Sequence, residues 1–137
     1  MPTDEMFVQV NWIAIAVAAL ATFIVGGPWY SSALFLKPWQ KAMQLTDKLP
    51  GHPARVFGLS YLFSFIACAL LAGIIGSGAD ALSGLKIGLL VGACFVATSF
   101  GINYQFANRS LTALLIDGGY HVVQFAVFGL VLGAWPD

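Results

Sequence analysis

The sequence predicts an all-α protein, an integral membrane bundle of four transmembrane helices, and its composition and the spacing of its apolar runs are the reasons. Of its 137 residues, 59% are hydrophobic and 9% are charged, whereas a soluble domain carries roughly a quarter charged residues. Such a chain cannot clothe a water-facing surface. Four stretches reach the roughly 20 apolar residues that cross a hydrocarbon core: 7–36, 54–76, 82–104 and 111–135. The length suits one four-helix domain over residues 1–137 better than two.

The punctuation between the runs agrees. Residues 48–53, Lys-Leu-Pro-Gly-His-Pro, form a turn, and 76–80, Gly-Ser-Gly-Ala-Asp, form another. The third gap, 105–110, is short, so the last two helices make a tight antiparallel hairpin. The N-terminus carries Asp4 and Glu5 where a cleavable signal peptide would be basic, so the first run is expected to remain as a helix.

That first run contains Gly26-Gly27-Pro28. Proline removes one helical hydrogen bond and clashes with the carbonyl four residues back, here that of Ile24. A helix stopping at Val25 would measure about 24 Å from Val10, short of the roughly 30 Å core. The expectation is therefore a first helix kinked at Gly26, Gly27 and Pro28 that continues through Trp29 and Tyr30. Beyond it, 38–48 reads as a short interfacial helix in the first loop. Lys37, Lys41, Gln44 and Lys48 fall on one side at helical spacing, and Phe35, Leu36, Trp39 and Met43 fall opposite. Lys37, Trp39 and Lys41 would anchor it at the headgroups.

Orientation follows the basic residues. Lys37, Lys41, Lys48 and Arg55 lie in or beside the first loop and Arg109 in the third, with Lys86 the one dissenter. This puts the first and third loops in the cytoplasm and both termini outside the cell (inner) membrane. Small residues recur every four positions: Ala14, Ala18, Thr22, Gly26; Ser60, Ser64, Cys68, Ala72, Gly76; Gly84, Gly88, Gly92; and Gly129, Gly133. Stripes of this kind let helix backbones approach closely in lipid. Cys68 and Cys94 match no metal or redox spacing and read as small apolar core residues.

Polar residues concentrate in the expected cytoplasmic half. The candidate cavity comprises Tyr30, Asn103, Tyr104, Arg109, Asp117, Tyr120, His121 and Gln124. Asp117, His121 and Gln124 are three and four residues apart, so they share one face of the last helix. Ionisable groups at such depth are costly and persist when paired, hydrated or protonated. One reading is a cytoplasm-facing cavity that transports or conducts an ion or small polar solute, in which the Asp117–His121 pair handles a proton. The other is a structural clasp, with Asp117 capping the loop or pairing with Arg109, in an accessory subunit that packs on a partner or senses lipid. No phosphate loop, metal-ligand spacing or nucleophile elbow is present, so no catalytic residue, metal or cofactor is expected. The expected partners are the lipid bilayer and either a second copy of the chain or another membrane protein. Zero net charge gives no footprint for nucleic acid.

Several of these residues together resemble the DUF1761 family of small bacterial membrane proteins. They are Asn11-Trp12, Trp29-Tyr30-Ser31 followed by Leu34-Phe35 and Lys37-Pro38-Trp39, then Ile102-Asn103-Tyr104 before Arg109, and Gly119-Tyr120-His121. The resemblance covers almost the whole chain and implies a four-helix membrane protein, with no reaction or substrate attached. Asp117 stands where the family pattern more often has a neutral residue such as asparagine, and Pro28 where it more often has an ordinary apolar one.

Overall fold

A computed structural model describes residues 5–45 and 51–135, and those residues are helical throughout apart from turns. Four helical stretches are long and apolar enough to cross a membrane: Trp12–Trp29, Pro53–Ile75, Ala81–Phe106 and Leu111–Ala134. The expected spans thus hold, with the first one shorter at both ends than the apolar run that suggested it.

The first span is two helices, α1 (Trp12–Ala19) and α2 (Ala21–Trp29). Asn11 starts α1 by accepting the backbone N–H of Ala14 on Oδ1 at 3.0 Å, which satisfies one of the orphan donors of a helix N-terminus. The span tightens at Leu20, where bonds of the i to i+3 type (Leu20 N–H to Val17, Phe23 N–H to Leu20, both 3.0 Å) replace the α pattern. The span is thus interrupted at Leu20, ahead of Gly26, Gly27 and Pro28. Pro28 occupies the last turn of α2, and the helix runs through Trp29 to its cap at Tyr30.

Helix α3 (Leu36–Met43) follows in the first loop. It ends earlier than expected because Gln44 turns left-handed (φ 57°) and the N–H of Leu45 bonds the carbonyl of Gln40 at 2.9 Å, a Schellman closure. Lys48 lies outside the described residues. Lys37 and Lys41 face outward, and Trp39 turns inward against the Tyr30 ring at 5.1 Å. The two-sided character read from the sequence is present.

Helix α4 (Pro53–Ile75) begins with proline at its first position, where no N–H is needed, behind His52, whose Nδ1 accepts from Ala54 N–H at 3.2 Å. It closes at Gly76, whose φ of 81° suits glycine. Asp80 then caps α5 (Ala81–Val91) through Ser83 N–H at 2.8 Å. The third span is interrupted by a π-helical turn over Gly92–Ala97 before α6 (Thr98–Phe106). Nothing in the apolar run announces it. Its surplus carbonyls are met from below: Thr98 Oγ1 donates to Cys94 at 2.7 Å and Ser99 Oγ to Phe95 at 2.6 Å. Side-chain back-bonding of this kind satisfies groups that no water can reach in lipid.

The last helix, α7 (Leu111–Ala134), is the hub, packing against every other helix of the bundle. Its closest partner is α5. A β-carbon on Gly84 would overlap the carbonyl oxygen of Gly129, and one on Gly88 the carbonyl oxygen of Phe125. Two of the predicted glycine stripes therefore meet backbone to backbone, the contact that replaces a hydrophobic drive between helices in lipid. A second layer of Ala14, Ile15, Ala18, Cys68, Leu71 and Phe128 fills the space between α1, α4 and α7. Cys68 is buried as expected; Cys94 is exposed on the outer face of the π turn and is no core residue. Large apolar side chains such as Ile24, 70% exposed, and Phe106, 90% exposed, coat the outside, as lipid-facing positions would.

Candidate functional site

Two tyrosines and a tryptophan carry the first polar layer, at the end of the bundle shared by α3, the start of α7 and the ends of α2 and α6. Asp117 sits about two turns into α7 and is 6% exposed. Tyr30, capping α2, donates its hydroxyl to Asp117 Oδ1 at 2.6 Å. Tyr104, from α6, donates to Asp117 Oδ2. Both carboxylate oxygens are thus held by phenols from different spans, and Trp29 Nε1 bonds the adjacent Ile116 carbonyl at 2.9 Å. The Tyr30 ring packs between Trp39 and Tyr120, with centroids 5.1 and 5.3 Å away. Asp117 ties the first, third and fourth spans together.

A second layer lies deeper. Tyr120 donates to the carbonyl of Thr22 at 2.8 Å. His121 Nδ1 is 2.6 Å from Gln124 Oε1, and Gln124 Nε2 donates to Thr22 Oγ1 at 2.8 Å. Thr22 Oγ1 lies 2.5 Å from Ser64 Oγ, which donates to the Ser60 carbonyl at 2.7 Å. The imidazole stacks on Phe100 at 4.7 Å and meets the edge of Tyr120 at 4.8 Å. Gln124 and Ser64 are buried, and His121 is half-buried.

Six of the eight cavity residues read from the sequence come together: Tyr30, Tyr104, Asp117, Tyr120, His121 and Gln124. Two do not. Asn103 is exposed on α6 with its side chain outside the cluster. Arg109 donates to the Met43 carbonyl at 3.3 Å, pinning α3 to the third loop rather than neutralising Asp117. Asp117 and His121 share a helix face but no hydrogen bond; they belong to separate networks. Thr22, Ser60 and Ser64 complete the second network. Their four-residue spacing marked them as packing positions, and nothing in that spacing announced a hydrogen-bonded chain.

A groove accompanies the second network. A groove of about 340 Å³ runs beside His121, Gln124, Ser64 and Ser60, walled by Phe63 of α4 and Val96 of the π turn. It lies where α4 and the third span part, because α4 packs on α1 and α7 and meets α5, with no comparable packing on the π turn or α6. Asp117 does not line it. A second cavity, about 520 Å³, lies at the opposite end of the bundle beside Glu5, Asn11, Ser77 and Trp135. Among the described residues no cluster of three or more histidine, cysteine or acidic side chains could hold a metal ion.

A family model described as protein of unknown function (DUF1761) matches residues 13–133 of the chain. Comparison with curated proteins and with solved structures returns no match.

Proposed function

The chain belongs to the DUF1761 family, and on that premise we propose that it is an integral membrane protein of the accessory or lipid-sensing kind, a rigid bundle with a groove open to the bilayer. What supports this reading above all is the setting of Asp117. Its two oxygens are taken up by Tyr30 and Tyr104, it is 6% exposed, and it lines neither of the two cavities. An acid held this way clasps helices together. Interhelical hydrogen bonds are common in membrane bundles and average about 0.6 kcal/mol each.

The rival reading is conduction of an ion or small polar solute. It would need a hydrated route along the bundle axis with Asp117 and His121 on its wall. The two cavities share no lining residue. On the first span, Ala14, Ile15 and Ala18 stand between Asn11, which lines one, and Thr22, which lines the other, and all three are fully buried. Cys68 has the same position on α4. The groove's place between α4 and the third span favours entry from the membrane over passage across it. Neither catalysis nor a cofactor belongs to this reading. By its excess of basic residues, the end carrying α3 and Arg109 faces the cytoplasm of the inner membrane, with both termini outside. In the accessory form of the reading, the partner is another membrane protein or a second copy of this chain.

Proteoliposomes test it. Purified protein is expected to add no proton or solute flux to that of empty vesicles. Ala67 lines the groove; in a Cys94→Ala background, Ala67→Cys should react with a lipid-soluble maleimide and resist an impermeant one from either side. Flux above background, or labelling of Ala67→Cys from water, would make conduction the better account.

A further inference from the structure

The groove beside His121 has an unused acceptor, and this feature specifies a ligand. His121 lies ten residues into α7 and Ser64 eleven into α4. At 1.5 Å per residue both are about 15–17 Å from the ends of their spans, near the middle of a roughly 30 Å core. A molecule reaching this depth between α4 and the third span must be dissolved in the membrane.

The hydrogen-bond chain sets which group that molecule must offer. It ends on the Ser60 carbonyl, which can only accept. Ser64 therefore spends its proton on Ser60 and accepts from Thr22. Thr22 spends its own on Ser64 and accepts from the amide of Gln124. That leaves Gln124 Oε1 toward the imidazole, so Nδ1 carries the proton and donates to it. In the neutral ring the remaining nitrogen, Nε2, is then an acceptor. Among the described residues Nε2 has no hydrogen-bond partner; it is not a fully buried atom, and His121 lines the groove. The walls are apolar and aromatic: Phe63, Phe125, Phe128 and Val96. A volume of about 340 Å³ falls within the range of small-molecule sites, about 300–1,000 Å³.

We propose that this groove binds a membrane-dissolved molecule bearing a hydroxyl group, which donates a hydrogen bond to His121 Nε2 while its apolar body lies between Phe63 and Phe125. The proposal rests on the binding reading above and gives it a ligand class. A lipophilic quinol and an isoprenoid alcohol are two membrane molecules that carry this chemistry, and the test separates them.

The experiment uses the full chain in lipid nanodiscs with ¹⁵N-labelled histidine. The signals of His121 and His52, the two histidines, are assigned by comparison with His52→Ala. The probes are a decyl-substituted benzoquinol kept reduced, its dimethyl ether, and farnesol. The expected result is a saturable shift of the His121 Nε2 resonance with a hydroxyl-bearing probe and none with the ether. A response to the benzoquinol alone assigns the quinol class. A response to farnesol as well assigns hydroxyl-bearing membrane lipids more broadly. Ala67→Phe fills the groove without touching the hydrogen-bond chain, and by excluding the ligand's apolar body should weaken binding at least about tenfold. An equal shift with the ether overturns the proposal. So does the absence of any shift in a protein whose Ala67→Cys variant is still labelled from lipid, a result that leaves the open groove standing and removes its ligand.

Discussion

Tyr104→Phe is the sharpest test of the clasp, because it removes one hydroxyl and little else. Tyr104 is 7% exposed and Asp117 6%, so no bulk water stands ready to replace the lost donor. The substituted protein keeps Tyr30 on Oδ1 at 2.6 Å and leaves Oδ2 bare. A hydrogen bond to a charged group contributes about 1.5–3 kcal/mol in water-soluble proteins. Measured interhelical values in membranes are smaller, about 0.6 and at most about 1.7 kcal/mol, because the unfolded chain in the membrane also finds partners. The expected loss for Tyr104→Phe is therefore about 0.6–1.7 kcal/mol. Tyr30→Phe should cost a similar amount. The double variant should lose more than the sum, since it strands a buried carboxylate with neither donor. Asp117→Asn should be milder than the double variant, because an amide still accepts from one phenol. The assay is unfolding in mixed micelles of graded SDS content, followed by tryptophan fluorescence and helical circular dichroism. If Tyr104→Phe and Tyr30→Phe each cost nothing measurable and add linearly, Asp117 is not held as described, and the assignment of a structural role to it fails.

Four further outcomes are expected. Gly88→Leu places side-chain atoms on the Phe125 carbonyl and should destabilise the bundle by about 1–3 kcal/mol through overpacking, read in the same unfolding assay. A membrane-soluble thiol reagent should modify Cys94 and spare Cys68 until the protein unfolds, as mass spectrometry of the two peptides will show, since the first is exposed and the second buried. Gln44→Cys should be labelled by an impermeant reagent from the cytoplasmic side of oriented vesicles; labelling from the other side would invert the topology. Asp80 is held below its ordinary pKa of 3.8, first by the backbone N–H of Ser83 and then by its hydroxyl. The stabilisation it supplies is present above the unfolded pKa and is lost as pH falls through the lowered folded value. Asp80→Asn should thus flatten the acid limb of a stability profile below about pH 4 and leave neutral stability close to unchanged.

The lesson about legibility lies in particular residues. Asn11, Asp80 and Ser110 start helices by accepting a backbone N–H three residues on, a local contact that the spacing of the apolar runs did not announce. The tyrosine clasp was half visible. Tyr30, Tyr104 and Asp117 were recognisable as polar groups at one end, but 87 and 13 residues separate the partners, and spacing says nothing about contacts at such range. Arg109 was the obvious counter-charge to Asp117 by proximity in sequence. The left-handed turn at Asn108 (φ 53°) precedes an arginine that bonds the Met43 carbonyl instead. Asn103 sits next to Tyr104 in the chain, and that adjacency is why it misses the cluster: neighbouring residues on a helix point about 100° apart.

Apolar length, the spacing of small residues and the placement of lysine and arginine are properties of segments. From the sequence alone they determined an all-α chain, four stretches fit to span a membrane, the glycine stripes and the end of the bundle where polar groups gather. The tertiary structure decided what depends on contact between segments. It put the irregularity of the first span at Leu20, a π turn in the third, and Asp117 and His121 in separate networks. It also opened the groove between α4 and the third span. The physical reason is that a span is specified by its own hydrocarbon-compatible surface and internal hydrogen bonds, so almost any packing of four such helices satisfies the sequence pattern. Which side chains meet is settled by close approach at glycines such as Gly84 and Gly129. That approach fixes the rotation of each helix, and with it the direction in which every polar group points.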